Sequence, residues 1–239
     1  MSANIPRVVA GTFVSSLSVI FKLITRPVET IKQLGEEPDY LAPLLVLLLV
    51  IAAYTANLYV ASMNVDYVVR GNMISAWKQE IEPVYSIMVA SLVLYLILGW
   101  FTYLFLLFFV SRFLGSDKEA HSLFSLSGLI FHIYFIQLSL NAIALLFVVS
   151  SAGFLHIEGL FQGIMSISYG LAYKGWLEVE ALSEVIKGLL EWFSYFWGAV
   201  YTYTVLREER ELSVRGAIIG TAIIYPLNTL VSMFFAASL

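Results

Sequence analysis

The amino-acid sequence predicts an all-α membrane protein, and its composition is the first reason. Of the 239 residues, 60% are hydrophobic and only 13% are charged, and the mean hydropathy is +0.86. Soluble domains carry about twice that share of charged residues. The second reason is a set of long apolar runs, each near the roughly 20 residues that a helix needs to cross a bilayer. The runs lack the alternating pattern of barrel strands, so they predict helices.

Five of these runs are predicted to form a five-transmembrane-helix bundle. They are Leu41–Val60, Val84–Val110, Ser127–Val149, Gly188–Leu206 and Gly216–Phe235. The chain therefore divides into a cytoplasmic amphipathic N-terminal region, residues 1–38, and a transmembrane domain, residues 39–239. This organisation predicts a multi-pass protein of the cell membrane, with the lipid bilayer as its first partner.

The region before the first span has the pattern of an amphipathic helix. Apolar residues fill one side of this helix. Small, polar and basic residues recur on the other side at steps of three and four, namely Arg7, Gly11, Ser15, Ser18, Lys22 and Arg26. One interpretation places the helix in the interface of the cytoplasmic leaflet, with its basic residues facing anionic head groups. The other packs it beneath the bundle.

The distribution of Lys and Arg predicts the orientation of the bundle. Nine of these residues lie near the N-terminus and in two of the loops, and four lie on the other side. Cytoplasmic segments carry the excess, so we expect a cytoplasmic N-terminus and a C-terminus outside. A sixth apolar run, residues 154–174, is interrupted by polar residues. It is predicted to be an external segment that lies along the interface or packs on the bundle, because a sixth crossing would move the Arg207–Arg215 cluster outside.

The third predicted helix carries the candidate binding residues. Ser116 and Glu119 have the spacing of a capping box, which predicts that this helix begins in water. One face is then small and polar from the cytoplasmic end to mid-membrane, with His121, Ser125, Gly128, His132 and Ser139. Neighbouring helices close this stripe by tight packing and hydrogen bonds, or it lines a wet vestibule in which His132 titrates or holds a ligand.

Most enzyme classes are excluded by the residues that the chain lacks. Without cysteine it has no disulfide, thiol nucleophile or cysteine-based metal site. Two of its three histidines share the helix of the candidate serines and the third, His156, lies in the outer segment, so no later span supplies a base for a serine nucleophile. We expect no enzyme, no metal and no cofactor. A net charge of −4 with scattered basic residues also argues against a nucleic-acid partner.

Three segments, in this order, carry a resemblance to a known family. They are Arg26–Thr30 with Glu37–Leu44, which leads into the first span, then Gly115–Phe124, and then the charged turn Arg207–Ser213. With five spans and an inside N-terminus, the chain resembles the Yip-domain family of multi-pass membrane proteins, named for interaction with Ypt/Rab GTPases. Asp39, Tyr40 and Pro43 are similar to the family's motif at the first span. The short N-terminal region indicates a prokaryotic member.

The resemblance implies a non-enzymatic role in protein interaction or membrane organisation. Its partner would be another protein or a second copy of the chain, recognised by the N-terminal helix and the cytoplasmic loops. The alternative is a small transporter or channel with a polar path along the third helix, and an intramembrane enzyme is the weakest hypothesis. The charged residues 208–211 are predicted to form a solvated turn.

Overall fold

The computed structural model describes residues 5–63, 66–69, 72–75, 82–152 and 176–238. These residues are predominantly helical, which confirms the all-α class. The helices are α1 Ile5–Thr25, α2 Pro27–Glu36, α3 Leu41–Met63, α4 Glu82–Phe113, α5 His121–Leu129, α6 His132–Ala152, α7 Trp176–Thr204 and α8 Val214–Ser238. A π-helical turn, Val205–Glu209, follows α7. A short antiparallel hairpin, β1 Asp66–Val69 and β2 Asn72–Ser75, is an addition that the sequence did not predict.

Three helical stretches among the described residues are long and apolar enough to cross a membrane. They are Leu41–Val60, Ile87–Phe113 and His121–Ala144, which correspond to the first three predicted spans. The predicted spans in α7 and α8 stay predictions, as does the division of the chain after residue 38. The predicted interfacial segment 154–174 lies outside the described residues.

The third span is not the single helix that the sequence predicted. Helix α5 ends at Leu129 and α6 begins at His132. The His132 ring Nδ1 lies 2.7 Å from the carbonyl oxygen of Leu129, which would accept the amide of Ile133 in a continuous helix. That amide bonds instead to the Ile130 carbonyl at 3.2 Å. The side chain of His132 thus competes with the backbone ladder at the break.

The predicted capping box is also wrong. Helix α5 begins at His121 with Ala120 at its N-cap, and no side chain caps it. Ser116 Oγ is buried without a hydrogen-bond partner, and the Glu119 carboxylate lies 3.6 Å from the His121 ring. The physical reason is that the Ser116 amide, which the Glu119 carboxylate would have to accept, donates instead to the Ser111 carbonyl at the end of α4, at 2.9 Å.

The chain forms two compact units. The first consists of residues 1–49, 97–133 and 195–231, and the second of residues 50–96, 134–194 and 232–239. In the second unit, Asn57 Nδ2 donates to the Leu138 carbonyl and Asn57 Oδ1 accepts from Asn141 Nδ2, both at 2.7 Å. Ser194 Oγ donates to Gln137 Oε1 at 2.9 Å. These bonds join α3, α6 and α7, as interhelical polar contacts in membranes do.

Candidate functional site

Asp39 joins three helices of the first unit at the start of α3. Its Oδ1 accepts the amides of the first two residues of α3 at 2.9 and 3.0 Å, which caps that helix. Its Oδ2 accepts a 2.7 Å hydrogen bond from Ser16 Oγ on α1. Its backbone carbonyl accepts one from Ser125 Oγ on α5, also at 2.7 Å. Asp39 therefore has a structural role in holding α1 and α5 beside the first span.

The other two motif residues, Pro43 and Tyr40, differ sharply in exposure. Pro43 is buried, and a Cβ at Gly128 would lie only 2.6 Å from the Pro43 Cβ. Tyr40 is 51% exposed, its ring lies 6.3 Å from that of Phe124, and its hydroxyl is 3.5 Å from the His121 carbonyl. We call Tyr40, His121 and Phe124 the aromatic patch; all three are exposed.

Arg210 is the most deeply buried cation among the described residues, at 1% exposure. Its Nη1 donates to the Glu119 carbonyl at 2.6 Å, its Nη2 to the Lys118 carbonyl at 2.8 Å and its Nε to Ser111 Oγ at 3.1 Å. Burial lowers the pKa of the guanidinium, while the negative charge of Glu209 opposes that shift. Arginine remains protonated at neutral pH. A fixed positive charge thus holds the extended segment ahead of α5.

Glu209 places a buried carboxylate beside this cation. Ser122 Oγ donates a short hydrogen bond to its Oε1, and a Cβ added at Gly35 would collide with its Oε2. Lys32 Nζ, also on α2, lies 2.9 Å from Glu208 Oε2. Because Gly35 lacks a side chain, α2 can lie directly on the π-helical turn.

These buried groups form one polar cluster within the first unit. We define the polar cluster as Ser16, Asp39, Ser111, Ser122, Ser125, Glu209 and Arg210, all buried or half-buried. Apart from Ser16 on α1, its members lie in or near the three segments that carry the family resemblance. Segments far apart in the sequence are thus brought to one place by hydrogen bonds.

The prediction that residues 208–211 form a solvated turn is wrong for Glu209 and Arg210, which are buried. Only its outer residues fit that prediction, such as Glu211, which pairs with the exposed Lys118 at 2.9 Å. A run of adjacent charged residues has the same sequence pattern whether it is solvated or buried, so residue type did not predict the burial of Glu209 and Arg210. The resemblance to the Yip-domain family was the one feature of the sequence that pointed to this turn.

The four stripe residues are not presented by one continuous helix. His121 is exposed, Ser125 is buried against Asp39, His132 is buried and Ser139 is half-buried. The break between α5 and α6 separates the first two from the last two. A binding role for these residues stays a prediction.

His132 is enclosed by other side chains and the backbone. Trp197 Nε1–H donates to its Nε2 at 3.0 Å, so that nitrogen is the acceptor and Nδ1 carries the hydrogen that is donated to Leu129. The Tyr201 ring lies 5.6 Å away. Both ring nitrogens are therefore used in holding helices together.

Comparison with known proteins gives a match at the level of a family. A sequence model of the Yip1 domain matches residues 21–236, which include the polar cluster's acidic and basic members and the aromatic patch. No curated protein and no solved structure matched the chain. Among the residues that the structure describes, no group of three or more His, Asp or Glu is suited to a metal ion.

Proposed function

Because the chain belongs to the Yip1 domain family, we propose that it acts without enzymatic chemistry, as a membrane protein that binds a protein partner at its cytoplasmic side. The aromatic patch is the observation that carries this proposal. Asp39 and Pro43 are accounted for by capping and packing, whereas Tyr40 leaves half of its surface exposed. Tyrosines in such positions are typical anchors of protein interfaces.

The polar cluster supports the proposal because it makes the patch rigid. Tyr40 follows the capping residue Asp39, and Phe124 lies between Ser122 and Ser125, both of which are hydrogen-bonded to distant segments. A side chain that is fixed before binding loses less entropy when a partner covers it. The role of the cluster is therefore to present the patch, not to perform chemistry.

Two ion pairs support a common cytoplasmic position for the N-terminal region and the loops. Lys118 pairs with Glu211, and Lys32 with Glu208, each at 2.9 Å. Paired residues lie on one side of a membrane, so an even number of crossings must separate them. The predicted spans provide two crossings between the first pair and four between the second. This parity supports four crossings between residues 32 and 208, and the excess of Lys and Arg favours the cytoplasm for the side that holds both pairs. A fifth crossing by α8 would then place the C-terminus outside. The cell-membrane location and a prokaryotic origin rest on the sequence alone.

Site-specific photocrosslinking tests the patch in native membranes. A benzophenone amino acid at position 40 is expected to give a discrete adduct with a partner protein, and the same probe at position 121 should give the same adduct. The matched control is position 48, an exposed leucine within the first span. Adducts only with lipid at position 40 would contradict the proposal, since tyrosine is also common at lipid interfaces. An adduct of twice the chain's mass would identify a second copy as the partner.

The transporter alternative gains no comparable support. Its titratable candidate, His132, is buried and both ring nitrogens are bonded. A proteoliposome flux assay on the intact chain and on His132→Ala checks this directly. We expect no solute or ion movement that depends on His132.

A further inference from the structure

Helix α1 has three sides, where the sequence alone suggested two. The residues Ser16, Ile20 and Leu23 recur at the spacing of one helix side and are at most 2% exposed. The protein covers this side, and Ser16 on it bonds to Asp39. One side of α1 is therefore fixed against the rest of the first unit.

The second side of α1 is apolar and uncovered. Phe13, Val14 and Phe21 are 44%, 65% and 67% exposed. At 100° per residue these three side chains fall within an arc of about 100° around the helix axis. The third side is polar, with Ser15 and Lys22 exposed. An apolar stripe of this kind on one helix requires an occupant other than water.

The bond between Ser16 and Asp39 sets the depth of α1. Asp39 caps α3, and the first span begins two residues later at Leu41. The cap of a spanning helix lies where the chain enters the hydrocarbon, so the middle of α1 is held at the membrane surface. The uncovered stripe consequently lies at the level of the lipid leaflet.

The charge of this region indicates which lipid is preferred. Residues 1–28 contain Arg7, Lys22 and Arg26 and no Asp or Glu. Lys22 and Arg26 are exposed and have no ion-pair partner among the described residues, whereas Lys32 and Lys118 are paired. Unpaired cations beside an apolar stripe favour anionic head groups.

We propose that α1 binds anionic phospholipids of the cytoplasmic leaflet. Phe13, Val14 and Phe21 lie among the upper acyl chains, and Lys22 and Arg26 contact the head-group phosphates. This inference goes beyond the proposed function and holds whether or not a protein binds the aromatic patch. It also reconciles the two sequence interpretations, because the helix is packed on one side and membrane-bound on another.

The depth of α1 is testable because the chain contains no cysteine. Single nitroxide labels are placed on Val14→Cys and Phe21→Cys, and on Ser15→Cys and Ser18→Cys as matched positions on the polar side. The full chain is measured in nanodiscs of phosphatidylcholine with phosphatidylglycerol. Labels at 14 and 21 should be more accessible to oxygen than to a water-soluble nickel complex, and those at 15 and 18 the reverse. Equal water access at all four positions would overturn the proposal.

Lipid preference is measured by quenching of a fluorophore on Phe21→Cys with nitroxide-labelled lipids. Labelled phosphatidylglycerol should quench more strongly than labelled phosphatidylcholine, with each cation contributing roughly a fivefold preference. Lys22→Gln with Arg26→Gln should remove that preference, while Arg215→Gln, an exposed arginine outside α1, should retain it. No preference in the unaltered chain, or spin coupling between labels on two copies at position 21, would overturn the assignment to anionic lipid.

Discussion

A buried arginine lowers stability unless its N–H groups are hydrogen-bonded. The guanidinium of Arg210 donates to two backbone carbonyls and one hydroxyl. Arg210→Met should therefore lower the free energy of unfolding by about 3 kcal/mol, because it leaves the carbonyls of Lys118 and Glu119 without a donor. Denaturant titration in detergent measures the effect. Arg215→Met, at an exposed position, should change stability by less than about 0.5 kcal/mol. Equal losses in both variants would contradict a special role for Arg210.

Asp39 carries a second residue-level prediction. Asp39→Ala removes the cap of α3 and the bond to Ser16, and should cost about 1 to 2 kcal/mol of unfolding free energy. Asp39→Asn keeps an acceptor for the cap and should retain most of that stability. Glu37→Ala, on a neighbouring exposed carboxylate, is the control. A stable Asp39→Ala variant would show that the cap contributes little.

At this scale the sequence predicted residue types better than their roles. Asp39, Tyr40 and Pro43 were identified together through the resemblance, but the division into two structural residues and one exposed aromatic depends on contacts across the fold. Burial of Glu209 and Arg210 was not predictable, since their partners come from segments around 90 positions away.

At the scale of elements, Gly128 decides how closely α5 approaches its neighbours. A Cβ at this position would lie 2.6 Å from Pro43 and from the Trp100 ring, both rigid groups. Gly128→Ala should cost about 1 to 3 kcal/mol through overpacking. Gly188→Ala provides the opposite case in α7, because nothing lies within 4 Å of its added Cβ. That substitution should stabilise the helix by about 0.5 to 1 kcal/mol. Opposite signs in thermal unfolding are the expected result.

Helix boundaries were predictable only where residues close by in the sequence set them. The first span begins at Leu41, as predicted, because a cap and a long apolar run coincide there. The break after Leu129 depends on a bond between the His132 ring and the backbone three residues earlier. A hydropathy pattern contains no information about such a bond, so α5 and α6 were predicted as one helix. The capping box failed because the Ser116 amide bonds to the Ser111 carbonyl at the end of α4 instead.

For the whole molecule, composition and run length predicted the helical membrane class, because the bilayer leaves few other solutions for so apolar a chain. The meeting of three distant segments in the polar cluster was not predictable from hydropathy, since it depends on side-chain hydrogen bonds. The resemblance nevertheless pointed to the same segments. The ion pairs hold these segments together, and the distribution of Lys and Arg predicts that they lie on the cytoplasmic side.

The predicted topology of the whole molecule can be measured. In intact cells, Ser213→Cys and Asp117→Cys, both exposed, should resist a membrane-impermeant maleimide, and both should react after the cells are opened. A reporter at the C-terminus should be detected outside, because one predicted span follows the Arg207–Arg215 cluster. A cytoplasmic C-terminal signal with positions 117 and 213 still protected would mean that α8 does not cross.

Labelling of position 213 but not 117 in intact cells would instead require a further crossing between them, and would separate the paired Lys118 and Glu211 across the bilayer. The ion pair makes that second outcome incompatible with this fold, so the experiment tests the structure and the orientation together.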